Sequence, residues 1–336
     1  MSRIVALWTL VAAFVCLAGV ACSSPTKPTV FSISCPLSQL LTSSDNNPVT
    51  LTYTAPTVTG GEGTVTTTCS VASGSKVPVG STPITCNAKD GAQKTASCGF
   101  EVQVKYVPPA PTIAATKFVA FGDSITEGFA HVCDGAAASL TEYWRHLREI
   151  RPPPVDSPIS YPNQLRSLMS ARYTTQTITM INEGSGGESI ETGAADLARV
   201  LSQDSPGVVL LQEGTNDMDA IFFGANPQAQ MSVVVTNLRN MIRLARGRGV
   251  VVFVGTLTPQ RQGACRGYAP SWIAPVNDQI RTMVAGEDAT LVDLYKAFGG
   301  QATTDLVGPD GLHPSAAGYQ AIAQTFFDAI KLRLEK

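Results

Sequence analysis

Five short apolar runs, separated by helical patterns, restrict the larger part of this chain to very few architectures. The runs are Phe118–Phe121, Ile178–Ile181, Val208–Leu211, Val250–Val254 and Leu291–Leu294. The clearest intervening helix places Val234, Leu238, Met241, Ile242 and Ala245 on one face and ends at Gly247 and Gly249. The last helix repeats that spacing with Ile322, Phe326, Ala329 and Ile330. Strand and helix in alternation predict an α/β fold, a parallel sheet covered by helices on both faces, over residues 116–336. Neither a Gly-x-Gly-x-x-Gly after the first run nor a Walker-type lysine is present, so nucleotide binding is not indicated.

Upstream the pattern changes from helical to alternating. Residues 30–106 hold few charges and many threonines and valines, and Val49, Leu51 and Tyr53 alternate with polar residues, as do Phe100, Val102 and Val104. Turn residues at Gly60-Gly61, Ser73-Gly74-Ser75 and Asp90-Gly91 separate the runs. This predicts a small all-β sandwich with one buried face per strand. Its apolar core is thin, so disulfides among Cys35, Cys69, Cys86 and Cys98 are expected to stabilise it; four cysteines allow three pairings. The segments Ser73–Cys86, Ala88–Gly91 and Ser97–Val102 resemble an HYR module, an immunoglobulin-like domain. That resemblance implies adhesion or spacing rather than catalysis and leaves the ligand open. Prolines in Val107–Thr112 mark residues 107–115 as a stiffened linker.

At the amino terminus Arg3 precedes an apolar run from Ile4 to Val20, and small residues lead to Cys22. Residues 1–21 read as a signal peptide and the proline-containing stretch 22–29 as a tether. The approach to Cys22 resembles a bacterial lipoprotein signal, with Gly19 where a leucine-like residue is usual. It implies lipidation of Cys22 and a membrane anchor in the cell envelope. An ordinary cleaved signal or an uncleaved anchor are the alternatives. Export makes disulfides expected. No Cys-x-x-Cys occurs and there are three histidines, so no zinc site is expected; a net charge of -2 gives no basic field for nucleic acid.

Four blocks carry the chemistry, each near the carboxyl end of a predicted strand or the start of a helix. They are Gly122-Asp123-Ser124, Asn182 to Glu188, Glu213 to Asp217, and Asp310 to Pro314. Strand ends of an open α/β sheet converge on one edge, so distant residues can share a cleft. A serine nucleophile needs a base, and His313 sits in a short turn beside Asp310, which could fix its tautomer. A tetrahedral oxyanion needs donors in place; the Ser124 and Gly187 backbone N–H groups and the Asn216 side chain are the candidates. Singly, each block is an ordinary turn or cap. Together and in this order, GDSIT, NEGSGGE, EGTND and DGLHP resemble the SGNH (GDSL) hydrolases, serine esterases with a flavodoxin-like three-layer fold. The resemblance spans Lys117 to about Lys336. It implies Ser124 as nucleophile, Asp310 and His313 as its partners, Ser124, Gly187 and Asn216 as oxyanion donors, and no metal or cofactor. The choice of Gly187 over Gly184 or Gly186 rests on family spacing.

The expectation is an exported serine esterase acting on small acyl esters, with glycan O-acetyl groups among the candidates. A lipase- or thioesterase-like hydrolase is the alternative, and a carbohydrate-binding adhesion lipoprotein with a non-catalytic hydrolase domain is another. Between Gly128 and Tyr161 lies an expanded loop with His131, Cys133, Arg145, His146, Arg148 and Arg151. It is expected to rim the cleft, and Cys133 is a candidate partner for Cys265 in a second loop, provided the two come within bridging distance.

Overall fold

The computed structural model describes residues 30–129, 157–261 and 266–336. The expectations for residues 1–29 with Cys22, for His131, Cys133 and His146, and for Cys265 lie outside the described residues. The chain divides into two units, one up to Pro109 and one from Ala110.

The first unit has eight strands: β1 (Ser32–Ser34), β2 (Gln39–Ser43), β3 (Val49–Thr50), β4 (Thr57–Thr59), β5 (Thr66–Cys69), β6 (Lys76–Val77), β7 (Gly80–Lys89) and β8 (Thr95–Tyr106). Four of them form a sheet in the order β2-β8-β7-β5, while β1 pairs with β4 and β3 with β6. Side chains alternate across a strand, so every second residue of β7 and β8 faces inward. Ile84, Cys86 and Ala88 on β7 are buried, as are Phe100, Val102 and Val104 on β8. With Leu51 and Val77 most of these form the core of the unit. Of the three possible pairings the structure contains Cys35–Cys98 and Cys69–Cys86. Register alone would not choose, because Cys86 stands opposite Cys69 on one side and Cys98 on the other.

The second unit follows a strand–helix alternation: β9 (Lys117–Gly122), α1 (Ser124–Glu127), α2 (Tyr161–Arg172), β10 (Thr179–Gly184), α3 (Ile190–Asp204), β11 (Val208–Gln212) and α4 (Thr215–Asp219). A 3-10 turn at Ala220–Phe223 leads to α5 (Pro227–Gly247), β12 (Val251–Gly255), α6 (Pro270–Ala285), β13 (Thr290–Val292), α7 (Leu294–Ala297) and α8 (Ala316–Leu334). The five strands form one sheet with parallel pairings, in the order β10-β9-β11-β12-β13. This is the flavodoxin-like order, whose switch point lies at the carboxyl end of the first strand.

The buried strands explain the layering. Val119 and Phe121 of β9, Val209 and Leu211 of β11 and Val252 and Val254 of β12 pack with α3, α5 and α6. Phe118, Ala120, Val208, Leu210 and Phe253 point the other way and pack with α2 and α8. The fifth predicted strand is shorter than its apolar run. It stops at Val292 because the Asp293 carboxylate accepts a hydrogen bond from the Lys296 amide at 3.1 Å, so Leu294 opens α7 instead.

The two disulfides close loops of sequence separation 63 and 17. Loop-closure entropy predicts that Cys35→Ala/Cys98→Ala destabilises the sandwich by about 4 kcal/mol and Cys69→Ala/Cys86→Ala by about 3 kcal/mol. Hydrogen exchange of the β7 and β8 amides should read this difference, while the amides of β9 and β11 keep their protection.

Candidate active site

The site begins where β9 runs out. A Cβ on Gly122 would lie 2.0 Å from the Gln212 carbonyl oxygen of β11, so only glycine lets the two strand ends approach this closely. Asp123 then caps α1, its Oδ1 accepting from the Ile125 amide at 2.9 Å. That cap places Ser124 at the first helical position, buried at 4 % exposure.

Ser124 Oγ and His313 Nε2 are 2.8 Å apart. His313 Nδ1 lies 2.5 Å from Asp310 Oδ2. With Nδ1–H donating to the carboxylate, Nε2 is the nitrogen left to accept the serine proton. The other carboxylate oxygen, Asp310 Oδ1, accepts from the Leu312 and His313 amides, each at 3.0 Å. Burial by itself would push the Asp310 carboxyl up. The His313 hydrogen bond and charge and the two amides outweigh it and hold the group below the usual carboxylate range.

A neighbouring segment braces the turn of Asp310 and His313. The Arg261 amide donates to the Gly311 carbonyl at 2.7 Å and the Arg266 amide to the Asp310 carbonyl at 2.8 Å. The Arg261 guanidinium donates to the Val307 and Gly308 carbonyls. Gly311 takes φ 86°, a left-handed conformation that favours glycine.

The second block is stitched to the first. Asn182 Nδ2 donates to the Glu127 carbonyl at 3.3 Å, and the Ser185 amide donates to the Gly122 carbonyl at 2.8 Å. Burial raises the Glu127 carboxyl, and the nearby Gly186 amide works against that rise. A Cβ on Gly186 would lie 2.7 Å from Glu127 Oε2 and 3.9 Å from Ser124 Cβ. Gly187, the next residue, has φ 75° in the same turn.

The third block closes on the second. Asn216 Nδ2 donates to the Glu188 carbonyl at 2.9 Å, and Asp217 Oδ2 accepts from the Ile190 amide at 2.9 Å. Both bonds fix the Gly187–Glu188 segment against the start of α4. The structure thus joins Ser124, His313 and Asp310 directly, and ties Asn216 to the residue after Gly187.

Several participants escape a sequence reading. Glu127, Glu188 and Glu213 look like surface acids one by one, yet Glu127 and Glu213 are buried and Glu188 is half-buried. Both Glu213 carboxylate oxygens are buried without a hydrogen-bond partner. Burial, then the charges of Asp123, Glu188 and Asp217, push its carboxyl well above the usual range. Burial likewise raises Asp123 and Asp217 to about 6 and Glu188 to about 7. Among the described residues no group of three or more His, Cys, Asp or Glu is placed to hold a metal ion.

Glu213 makes stability depend on pH in a definite sense. Its folded-state carboxyl keeps its proton above pH 4.5, where the unfolded chain releases it, so the penalty grows as pH rises toward the folded value. The uncharged Glu213→Gln should therefore melt close to the parent at pH 5 and several degrees higher at pH 8. Thermal unfolding at the two pH values reads the difference; a gain that is equal at both would remove the buried-acid account.

The GDSL-like Lipase/Acylhydrolase family model matches residues 120–321, and the HYR domain model matches residues 26–104. Comparison with the curated proteins finds no match. Among solved structures, a lipase/acylhydrolase from Enterococcus faecalis is 23% identical, with 65% of this chain and 96% of that chain covered and a TM-score of 0.50. An alpha/beta hydrolase enzyme from the metagenome of Lake Arreo in Spain is 20% identical, covering 65% of this chain and 96% of that one, with a TM-score of 0.49. The Enterococcus likeness shows the fold. The family model spans well over half of the chain, and with all four of its blocks gathered at one sheet edge this chain belongs to the GDSL-like lipase/acylhydrolase family, hydrolases acting on esters.

Proposed function

We propose that the chain is a serine carboxylic-ester hydrolase that works through an acyl-enzyme on Ser124. The observation that carries this reading is the unbroken chain from Ser124 Oγ through the His313 imidazole to the Asp310 carboxylate. Ser124 Oγ attacks the acyl carbon while its proton passes to His313 Nε2, and the carbonyl electron pair moves onto oxygen. The amides of Ser124 and Gly187 and the Asn216 side chain receive that oxyanion. Collapse breaks the ester C–O bond, and the alcohol leaves with the proton from His313. Water then attacks the acyl carbon, gives its proton to His313, and the acid leaves as Ser124 regains its hydrogen.

The favoured substrate is a small acyl ester, with O-acetyl groups on glycans as the natural class. Glu127, Glu188 and Asn216 supply polar surroundings close to Ser124 and its oxyanion donors. Each buried methylene contributes about 0.8 kcal/mol only where it meets apolar surface, so such walls favour a short acyl group over a long chain. On this reading the enzyme is exported, anchored through a lipid on Cys22, with the HYR module as spacer between membrane and catalytic unit. The apolar run and small-residue approach to Cys22 support the export and the anchor.

Hydrolysis of p-nitrophenyl esters from acetate to long acyl chains tests the proposal. Activity should fall with chain length and vanish in Ser124→Ala, and Asn216→Ala should lower kcat by roughly 100- to 1000-fold. Activity that survives in Ser124→Ala would remove the acyl-enzyme, and a preference for long chains would move the substrate to lipids.

A further inference from the structure

We propose that Phe129 is a positioning residue for His313, its ring holding the imidazole in the plane that joins Asp310 to Ser124. The proposal rests on the reading of His313 as the base. The two rings stand 4.9 Å apart between centroids, with their planes inclined by 53°. Both hydrogen bonds of His313 leave from nitrogens in the ring plane. They fix the ring well in the resting site, but the bond to Ser124 changes when the serine proton moves. The torsion that turns an imidazole about its Cβ–Cγ bond has broad wells, so in-plane bonds alone restrain tilting weakly. A second ring packed beside the imidazole opposes that tilt at each stage of the reaction.

Phe129 is itself held at three points. Its amide donates to the Ser124 carbonyl at 3.0 Å, which ties it to the turn of the nucleophile. Its carbonyl accepts from the Tyr319 hydroxyl at 2.5 Å. Tyr319 is fully buried on α8, and burial keeps its hydroxyl protonated as a donor. Just before it, Gly128 has φ 96°, and a Cβ there would lie 2.3 Å from the Ser160 Cβ, so the backbone is locked against the start of α2. Phe129 therefore connects the nucleophile turn, the helix after the turn of Asp310 and His313, and the imidazole itself. A ring that restrains the imidazole through the proton transfers acts on the reacting geometry rather than on substrate binding, so it acts on kcat rather than KM.

The test is kinetic and spectroscopic on the whole chain. Phe129→Ala should lower kcat on p-nitrophenyl acetate by roughly 10- to 100-fold, with KM within about twofold, while Phe129→Tyr restores most of the rate. In proton NMR the far-downfield His313 Nδ1–H resonance should broaden or vanish in Phe129→Ala and return in Phe129→Tyr. Should Phe129→Ala fail to fold, Tyr319→Phe removes only the hydroxyl that holds the Phe129 carbonyl and should shift both readouts the same way by a smaller factor. A Phe129→Ala enzyme with the parent kcat and an unchanged resonance overturns the proposal. The resonance needs no turnover, so the role of Phe129 is read even if Ser124→Ala remains active and the serine mechanism itself falls.

Discussion

The chemistry proposed for this chain hangs on one contact, the 2.8 Å approach of Ser124 Oγ to His313 Nε2 across 189 residues of sequence. Nothing local brings these atoms together. Ser124 is delivered by β9, whose six residues are all buried or nearly so between two helical layers. His313 is delivered by a turn before α8, whose buried face packs with Phe118, Ala120 and Phe253 on one side of the same sheet. The contact is therefore a consequence of the parallel sheet and the helix that covers it. The order β10-β9-β11 puts the ends of β9 and β11 side by side, so the third block reaches the same place.

Around that contact the parts are fixed by backbone bonds rather than by side-chain packing alone. Glu127, Asn182 and the Gly122 carbonyl tie the second block to the first, and Asn216 and Asp217 tie the third to the second. Arg261 and Arg266 brace the turn of Asp310 and His313 from outside. Donors held in this way need no rearrangement when charge develops on a substrate oxygen, which is the main advantage a preorganised site has over water.

How much of this the sequence disclosed follows from the range of the forces involved. The five strands show as apolar runs because a parallel strand is buried on both faces. α5 and α8 show because their buried positions recur with helical spacing. The end of β13 did not show, because the Asp293 cap competes with an apolar run that continues to Leu294. The disulfide pairing was open because Cys86 faces two cysteines across two strands, and only the geometry of the folded sheet separates them. In the site, Ser124, Asn216, Asp310 and His313 stand in blocks that could be read, and three of them meet in one hydrogen-bonded chain. Glu127, Phe129 and Glu213 could not be read. Their roles depend on which residues lie beside them after folding.

The electrostatics of the site divide along the same lines. Asp310 is held toward its charged form by three hydrogen bonds, beside the imidazole that the proposed mechanism makes positive. Asp123, Glu188, Glu213 and Asp217 are all pushed toward their neutral forms by burial. Carboxyl groups whose environments drive them in opposite directions have opposite parts to play. A full negative charge next to the proposed oxyanion donors would oppose the charge that builds on the substrate oxygen, and a neutral acid does not. Glu213, whose carboxyl stands well above the usual range, fits a site proposed to stabilise an oxyanion, whereas Asp123 and Asp217, raised only to about 6, are largely charged at neutral pH. The same burial weakens the fold as pH rises, since the unfolded chain releases those protons first. A site that buries acids in this way is less stable than its packing alone would make it, and the surrounding backbone bonds are what hold it in shape.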